Sequence, residues 1–80
     1  MDKLSYAILD VLLNNDCKTR LRSMTVKDLE EQVNIKGITI YKKISKLQSF
    51  GYVADGIKDG RANTYYITQL GVDKLQEELV

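Results

Sequence analysis

Thr39, Lys42, Ser45 and Lys46 alternate with Ile40, Ile44 and Leu47 in the stretch from Lys36 to Gly51. Ammonium groups and hydroxyls in this arrangement contain no nucleophile paired with a base. They suit the recognition of a polyanion, lysines as point charges for phosphate and hydroxyls as hydrogen-bonding groups for base edges. Ile40, Ile44 and Leu47 fall at i, i+4 and i+7, one stripe of an α-helix, which puts the polar residues on its other faces. Gly51, directly after Phe50, supplies the left-handed residue that ends a helix. A helix over about 38–50 is therefore expected, one side turned to a core and the other free to meet water or an anion. Any amphipathic surface helix shows a similar pattern, so the neighbouring elements decide its meaning.

The composition excludes several chemistries. With no histidine and one cysteine, Cys17, the chain cannot build a Cys/His zinc site, a Ser-His-Asp triad or a Cys-His nucleophile. Glu30-Glu31 and Glu77-Glu78 are adjacent pairs, which point in different directions from a helix rather than converging on a metal. The five glycines are spaced too widely for a phosphate-binding loop. No enzyme, cofactor or metal is expected. Cys17 is expected to be an inert thiol, because Lys18 alone is a weak reason for a lowered pKa.

The elements that must position the helix are legible on both sides. Thr25 can cap a short helix whose apolar stripe is Val26, Leu29 and Val33, with Asp28 completing a variant of the capping box. The link Asn34-Ile35-Lys36-Gly37 is short enough for a helix-turn-helix, whose second helix enters the DNA major groove. Ahead of it, a helix from about Lys3 to Asn14 presents Leu4, Ala7, Ile8, Val11 and Leu12, with Tyr6 and Leu13 off the stripe, at the core rim or against a second subunit. Cys17 to Met24 is expected to be a loop ending in a very short strand near Arg22 to Met24 that pairs with a later hairpin. Asp59-Gly60 separates two runs rich in β-branched and aromatic residues, which predicts a hairpin over 52–67. A turn centred on Asp59-Gly60 needs positive φ at both positions. It would place Tyr52, Ala54, Tyr65 and Ile67 on one face and Lys58 across from Arg61, with Gly56 a candidate bulge that would shift this register. Thr68 is a candidate cap for a last helix, Gln69 to Leu79, striped by Val72, Leu75 and Leu79, its first turn weakened by Gly71.

Eighty residues with 44% hydrophobic content suit one domain, 1–80. The net charge of +1 hides an asymmetry: from Cys17 through Lys46 there are eight bases and three acids, an excess of five. That excess suggests a positive patch on a nearly neutral molecule. A single cysteine and the lack of a signal peptide or long apolar run point to a reducing cytoplasm and no membrane.

Leu29, Ile40, Leu47, Gly51-Tyr52-Val53, Asp59-Gly60-Arg61 and Tyr65-Tyr66-Ile67-Thr68 with Gly71 and Leu75 resemble the winged helix-turn-helix pattern of the MarR and PadR transcriptional regulators. The resemblance runs from about Thr25 to Leu75. It implies an α+β, mainly α fold, with a three-helix core, a β-hairpin wing and a C-terminal helix. It also implies groove-facing Lys36, Thr39, Lys42 and Lys46, and a wing tip carrying Lys58 and Arg61. Tyr41 and Ser45 join Thr39 as polar groups able to read base edges or thymine methyls. Gly37 and Ile38 stand where those families often carry a proline or serine pair.

These readings converge on a homodimer, paired through its first and last helices, that binds double-stranded DNA as a transcriptional regulator, in the first instance a repressor. Its half-sites would lie about 10 base pairs apart. The alternatives are a plasmid or phage partition-site binder, which uses the same basic face, and a winged-helix protein-interaction module.

Overall fold

The computed structural model describes residues 1–79, the side chain of Leu79 lying outside the description. The elements run α1 (Lys3–Asn14), β1 (Met24–Thr25), α2 (Val26–Val33), α3 (Gly37–Ser49), β2 (Val53–Asp55), β3 (Thr64–Ile67) and α4 (Gln69–Leu79). The three strands form an antiparallel sheet in the order β1-β3-β2. This is the mainly helical α+β winged helix-turn-helix expected.

The helices begin and end where local chemistry dictates. Asp2 caps α1 by accepting the Ser5 N–H at 2.9 Å. At α2 the capping box is reciprocal: Thr25 Oγ1 accepts from the Asp28 N–H at 3.0 Å, and the Asp28 carboxylate accepts from the Thr25 N–H at 3.1 Å. Asn34, at φ 57°, closes α2 in the left-handed conformation that asparagine tolerates. Gly51, at φ 81°, follows α3 in the role expected of it. Thr68 caps α4 through its hydroxyl, which accepts the Gly71 N–H at 3.1 Å.

The core gathers Ile8, Leu9 and Leu12 of α1, Leu29 of α2, Ile40, Ile44 and Leu47 of α3, Val53, Tyr65 and Ile67 of the sheet, and Val72 and Leu75 of α4. The buried face of α1 is centred one step from the expected stripe: Ser5 and Leu9 are buried with Ile8 and Leu12, while Leu4, Ala7 and Val11 are half-buried flanks. The reason is that α1 packs against α2, α3, α4 and β3 together, so burial extends around most of the helix. Tyr6 and Leu13 pack at the core rim, and Leu79, the last residue of the expected α4 stripe, has its side chain outside the described residues.

The hairpin departs from expectation by one residue. Val53 pairs with Ile67, Ala54 with Tyr66 and Asp55 with Tyr65. Val53, Tyr65 and Ile67 therefore share the buried face, not the expected set of Tyr52, Ala54, Tyr65 and Ile67. At the tip Asp59 and Ala62 exchange both backbone hydrogen bonds at 3.0 Å, so the central residues are Gly60 and Arg61. Gly60 alone has positive φ there (63°), which fits a type II′ turn rather than the type I′ that Asp59-Gly60 would need. Gly56 explains part of the register: a Cβ there would lie 2.5 Å from Ser23 Oγ and 2.6 Å from Thr64 Oγ1. Its backbone is pressed between the loop before β1 and strand β3, and its N–H donates to the Thr64 carbonyl at 2.9 Å.

Candidate nucleic-acid interface

The turn between α2 and α3 is tight because Gly37 opens α3 without a side chain. A Cβ at that position would sit 2.7 Å from Glu30 Oε2 and 3.2 Å from Val26 Cγ1. The close approach fixes how α3 crosses α2. Gln48 then ties α3 to the wing by donating to Asp55 at 2.8 Å, and Lys43 ties it to the start of α1 through an ion pair with Asp2. The Lys43 ammonium and the Ser5 N–H hold the Asp2 carboxyl well below the usual carboxylate range.

With Ile40, Ile44 and Leu47 turned inward, the helical period aims Ile38, Lys42 and Ser45 outward along one ridge. All three are exposed, and the chain leaves them uncovered. Thr39, half-buried, and Lys46, exposed, flank the ridge on the α1 side, where Lys46 shares a cleft with Met1, Asp2 and Phe50. Tyr41 flanks it on the wing side, 53% exposed. There it lines a groove of about 400 Å³ with Thr25, Lys27 and Asn63, beside the buried Tyr65. Burial raises the Tyr65 phenol above its ordinary pKa.

The structure does not bring all eight expected residues together. Tyr41, Lys42, Ser45, Thr39 and Lys46 form one continuous surface across α3. Lys36 stands apart at the entry to α3, in a cleft it shares with Glu30, Glu31 and Asn34. Arg61 occupies the apex of the wing turn and is exposed. Lys58 does not oppose it, because the one-residue shift in the turn pairs Asp59 with Ala62. Lys58 instead lines a cleft with Leu21, Ser23 and Asp28 that adjoins the groove beside Tyr41.

Charge is distributed unevenly among the bases. Asp16 lies 3.5 Å from Lys18 and 2.9 Å from Arg22, so its single charge is shared between two of the three bases in the loop before β1. Lys36, Lys42, Lys46, Lys58 and Arg61 make no ion pair among the described residues. Two members of the surface were not named from sequence. Lys27 lines the groove beside Tyr41, and its position in the first turn of α2 was readable once the cap was placed. Ile38 is 69% exposed on the outward ridge, which a full helical projection around Ile40 and Ile44 would have shown.

Cys17 is buried with its thiol pKa raised by burial, and its Sγ lies 3.6 Å from the Asn15 carbonyl. Among the described residues no cluster of three or more His, Cys, Asp or Glu side chains is arranged to hold a metal, and no helix is long and apolar enough to cross a membrane.

No family model matches the chain. It is 36% identical over 76 residues to the DNA-binding protein TubR of Clostridium botulinum C phage, covering 95% of this chain and 94% of that protein. The solution structure of a DNA-binding TubR fragment from Clostridium botulinum superposes with a TM-score of 0.78 at 35% identity, over 96% of this chain and 95% of that one. TubR from Bacillus megaterium pBM400 gives a TM-score of 0.86 at 15% identity, over 99% of this chain and 87% of that one, a likeness of fold.

Proposed function

Because the chain belongs to the TubR family of DNA-binding proteins, we propose that it binds double-stranded DNA with α3 in the major groove and the β2–β3 wing on the flanking backbone. The observation that carries this reading is the exposed outer surface of α3, where Lys42 on the ridge and Lys46 at its flank make no ion pair among the described residues, beside a wing tipped by Arg61. Lys42, Lys46, Lys36 and Arg61 supply phosphate attraction, while Thr39, Tyr41 and Ser45 offer hydroxyls to base edges. Lys58, exposed next to the wing turn, adds to the positive field around the DNA.

The protein acts as a homodimer in this reading, with α1 and α4 as the pairing surfaces. Leu70 on α4 is 54% exposed, and the nearby Phe50 is 48% exposed, which gives that side apolar area for a second subunit to cover. Of the uses of a DNA-bound dimer, occupation of a plasmid or phage partition site is favoured, supported by relatives that come from a phage and from pBM400. Repression of transcription, the use suggested by the MarR and PadR resemblance, is the second reading and employs the same surface.

Selection from random duplexes at two salt concentrations tests the binding itself. The expected result is an enriched sequence with two half-sites and an affinity that falls steeply with salt. Absence of retardation at low salt would overturn it. Placing the selected sequence on an unstable plasmid or upstream of a reporter then separates partition from repression.

A further inference from the structure

The two limbs of the wing do not run in step. Gly56 lies opposite Thr64, its N–H donating to the Thr64 carbonyl at 2.9 Å, and at the tip Asp59 lies opposite Ala62. Ile57 and Lys58 on one limb therefore face Asn63 alone on the other, a bulge of two residues against one. A bulged residue loses its ladder partners, and the strand bends there. The direction of the tip, with Gly60 and Arg61 at its apex, is set at this point.

Ile57 recovers both of its backbone hydrogen bonds from outside the ladder. Its N–H donates at 2.9 Å to the Arg20 carbonyl, in the loop before β1, and its carbonyl accepts from the Thr64 hydroxyl. A carbonyl can only accept, so Thr64 gives its proton to Ile57 and accepts from its other neighbour, the Ser23 hydroxyl, 2.8 Å away. The bonds thus run one way, from Ser23 to Thr64 to Ile57. Packing does little to hold the bulge, because the Ile57 side chain is 51% exposed and Lys58 is exposed as well. Hydrogen bonds hold it instead, and Thr64, 4% exposed, is their buried member.

Resting on the reading above that the wing meets the DNA backbone, we propose that Thr64 is a positioning residue that, through the Ile57 carbonyl, holds the wing tip at the angle that brings Arg61 to the DNA.

Thr64→Val keeps the shape of the side chain and removes its proton donor. Anisotropy titrations of the selected duplex at four salt concentrations compare Arg61→Ala and Lys42→Ala in the wild-type and Thr64→Val backgrounds, with circular dichroism and sedimentation to confirm fold and subunit state. In the wild-type background Arg61→Ala is expected to flatten the slope of log K against log salt by about 1.8 in a dimer, the loss of two phosphate contacts. In Thr64→Val the same substitution is expected to flatten it by less than about 0.9, while the effect of Lys42→Ala stays as it was. Thr64→Ser, which keeps the hydroxyl, is expected to restore the full Arg61 effect. An equal Arg61 effect in the two backgrounds would overturn the proposal, and so would Arg61 and Lys42 effects that shrink together, the mark of a general loosening. Should Thr64→Val not fold, amide hydrogen exchange of the wild type decides: the Ile57 N–H is expected to exchange as slowly as those of β3, and exchange at the rate of an unprotected amide would overturn the held bulge. If Arg61→Ala had no effect in the wild-type background, the placing of the wing on DNA would have failed and the proposal with it, a result distinct from an equal loss in both.

Discussion

Lys42 and Lys43 are neighbours in sequence with the same charge, yet the structure gives them different work. Lys42 is exposed on the outward ridge without an ion pair among the described residues, whereas the Lys43 ammonium is engaged by Asp2 at the start of α1. A lysine that neutralises a phosphate adds about 0.9 to the slope of log K against log salt. In a dimer, Lys42→Ala should therefore flatten that slope by about 1.8, removing two contacts. Each such contact is worth a factor of about 3–4 in affinity across a fourfold change in salt. Lys43→Ala should leave the slope nearly as it was, since that charge is already compensated, and should instead loosen the seat of α3 on α1. Anisotropy titrations on one selected duplex at four salt concentrations give both slopes, and urea denaturation followed by circular dichroism gives both stabilities. Equal slope changes for the two variants, or a larger change for Lys43→Ala, would refute the assignment of faces on α3.

Gly71→Ala should destabilise the protein by about 2–3 kcal/mol despite the usual preference of helices for alanine. Its Cβ would meet the Tyr52 carbonyl oxygen at 2.3 Å and Ile67 Cγ1 at 2.7 Å, and a denaturation midpoint at or above that of the wild type would contradict the close packing of α4 on the sheet. Asp2→Asn should flatten the acid limb of stability. The folded-state carboxyl pKa is depressed, chiefly by the hydrogen bond from Lys43, so the contribution is present above the ordinary carboxylate value of 3.8 and is lost as pH falls through the lower folded value. Stability measured from pH 7 down to pH 2 should fall less steeply in the variant, and parallel curves would speak against the pair. Cys17 should react with iodoacetamide far more slowly in the native protein than in urea, because burial both hides the thiol and raises its pKa; native labelling at the denatured rate would show the loop before β1 to be open.

The parts of this fold that could be read from sequence are those fixed by neighbours within one or two turns of chain. The bounds of α1, the Thr25–Asp28 capping box, the Ile40, Ile44 and Leu47 stripe, the left-handed Gly51 and the Thr68 cap all depend on residues at most seven positions apart. What was not legible depends on distant segments. The hairpin register was open to a one-residue shift, and the shift accompanies the pressing of Gly56 against Ser23 and Thr64. The Asp59-Gly60 signal correctly marked a turn but not which residues are its centre. Gly71 read as a weakness in α4 and is instead the place where α4 approaches the Tyr52 backbone.

The candidate surface divides the same way. Lys42, Ser45 and Lys46 are exposed as their helical positions require. The pairing of Lys43 with Asp2, 41 residues apart, and the place of Lys58 in a cleft with Leu21 and Ser23 follow from tertiary packing that periodicity does not encode. Ile38 has neither charge nor hydrogen-bonding group, so its place on the outward face of α3 shows in the helical projection and not in its chemistry.

Titration of the selected duplex into isotope-labelled protein, followed by amide chemical shifts, tests most directly which face meets DNA. The account predicts that the largest perturbations fall on the outward residues of α3, Ile38, Lys42, Ser45 and Lys46, and on Gly60 and Arg61 at the wing tip, with the middle of α1 and α4 little changed beyond any effect of pairing. Perturbations concentrated on α1 and α4, with the outer ridge of α3 and the wing tip unmoved at saturation, would contradict it.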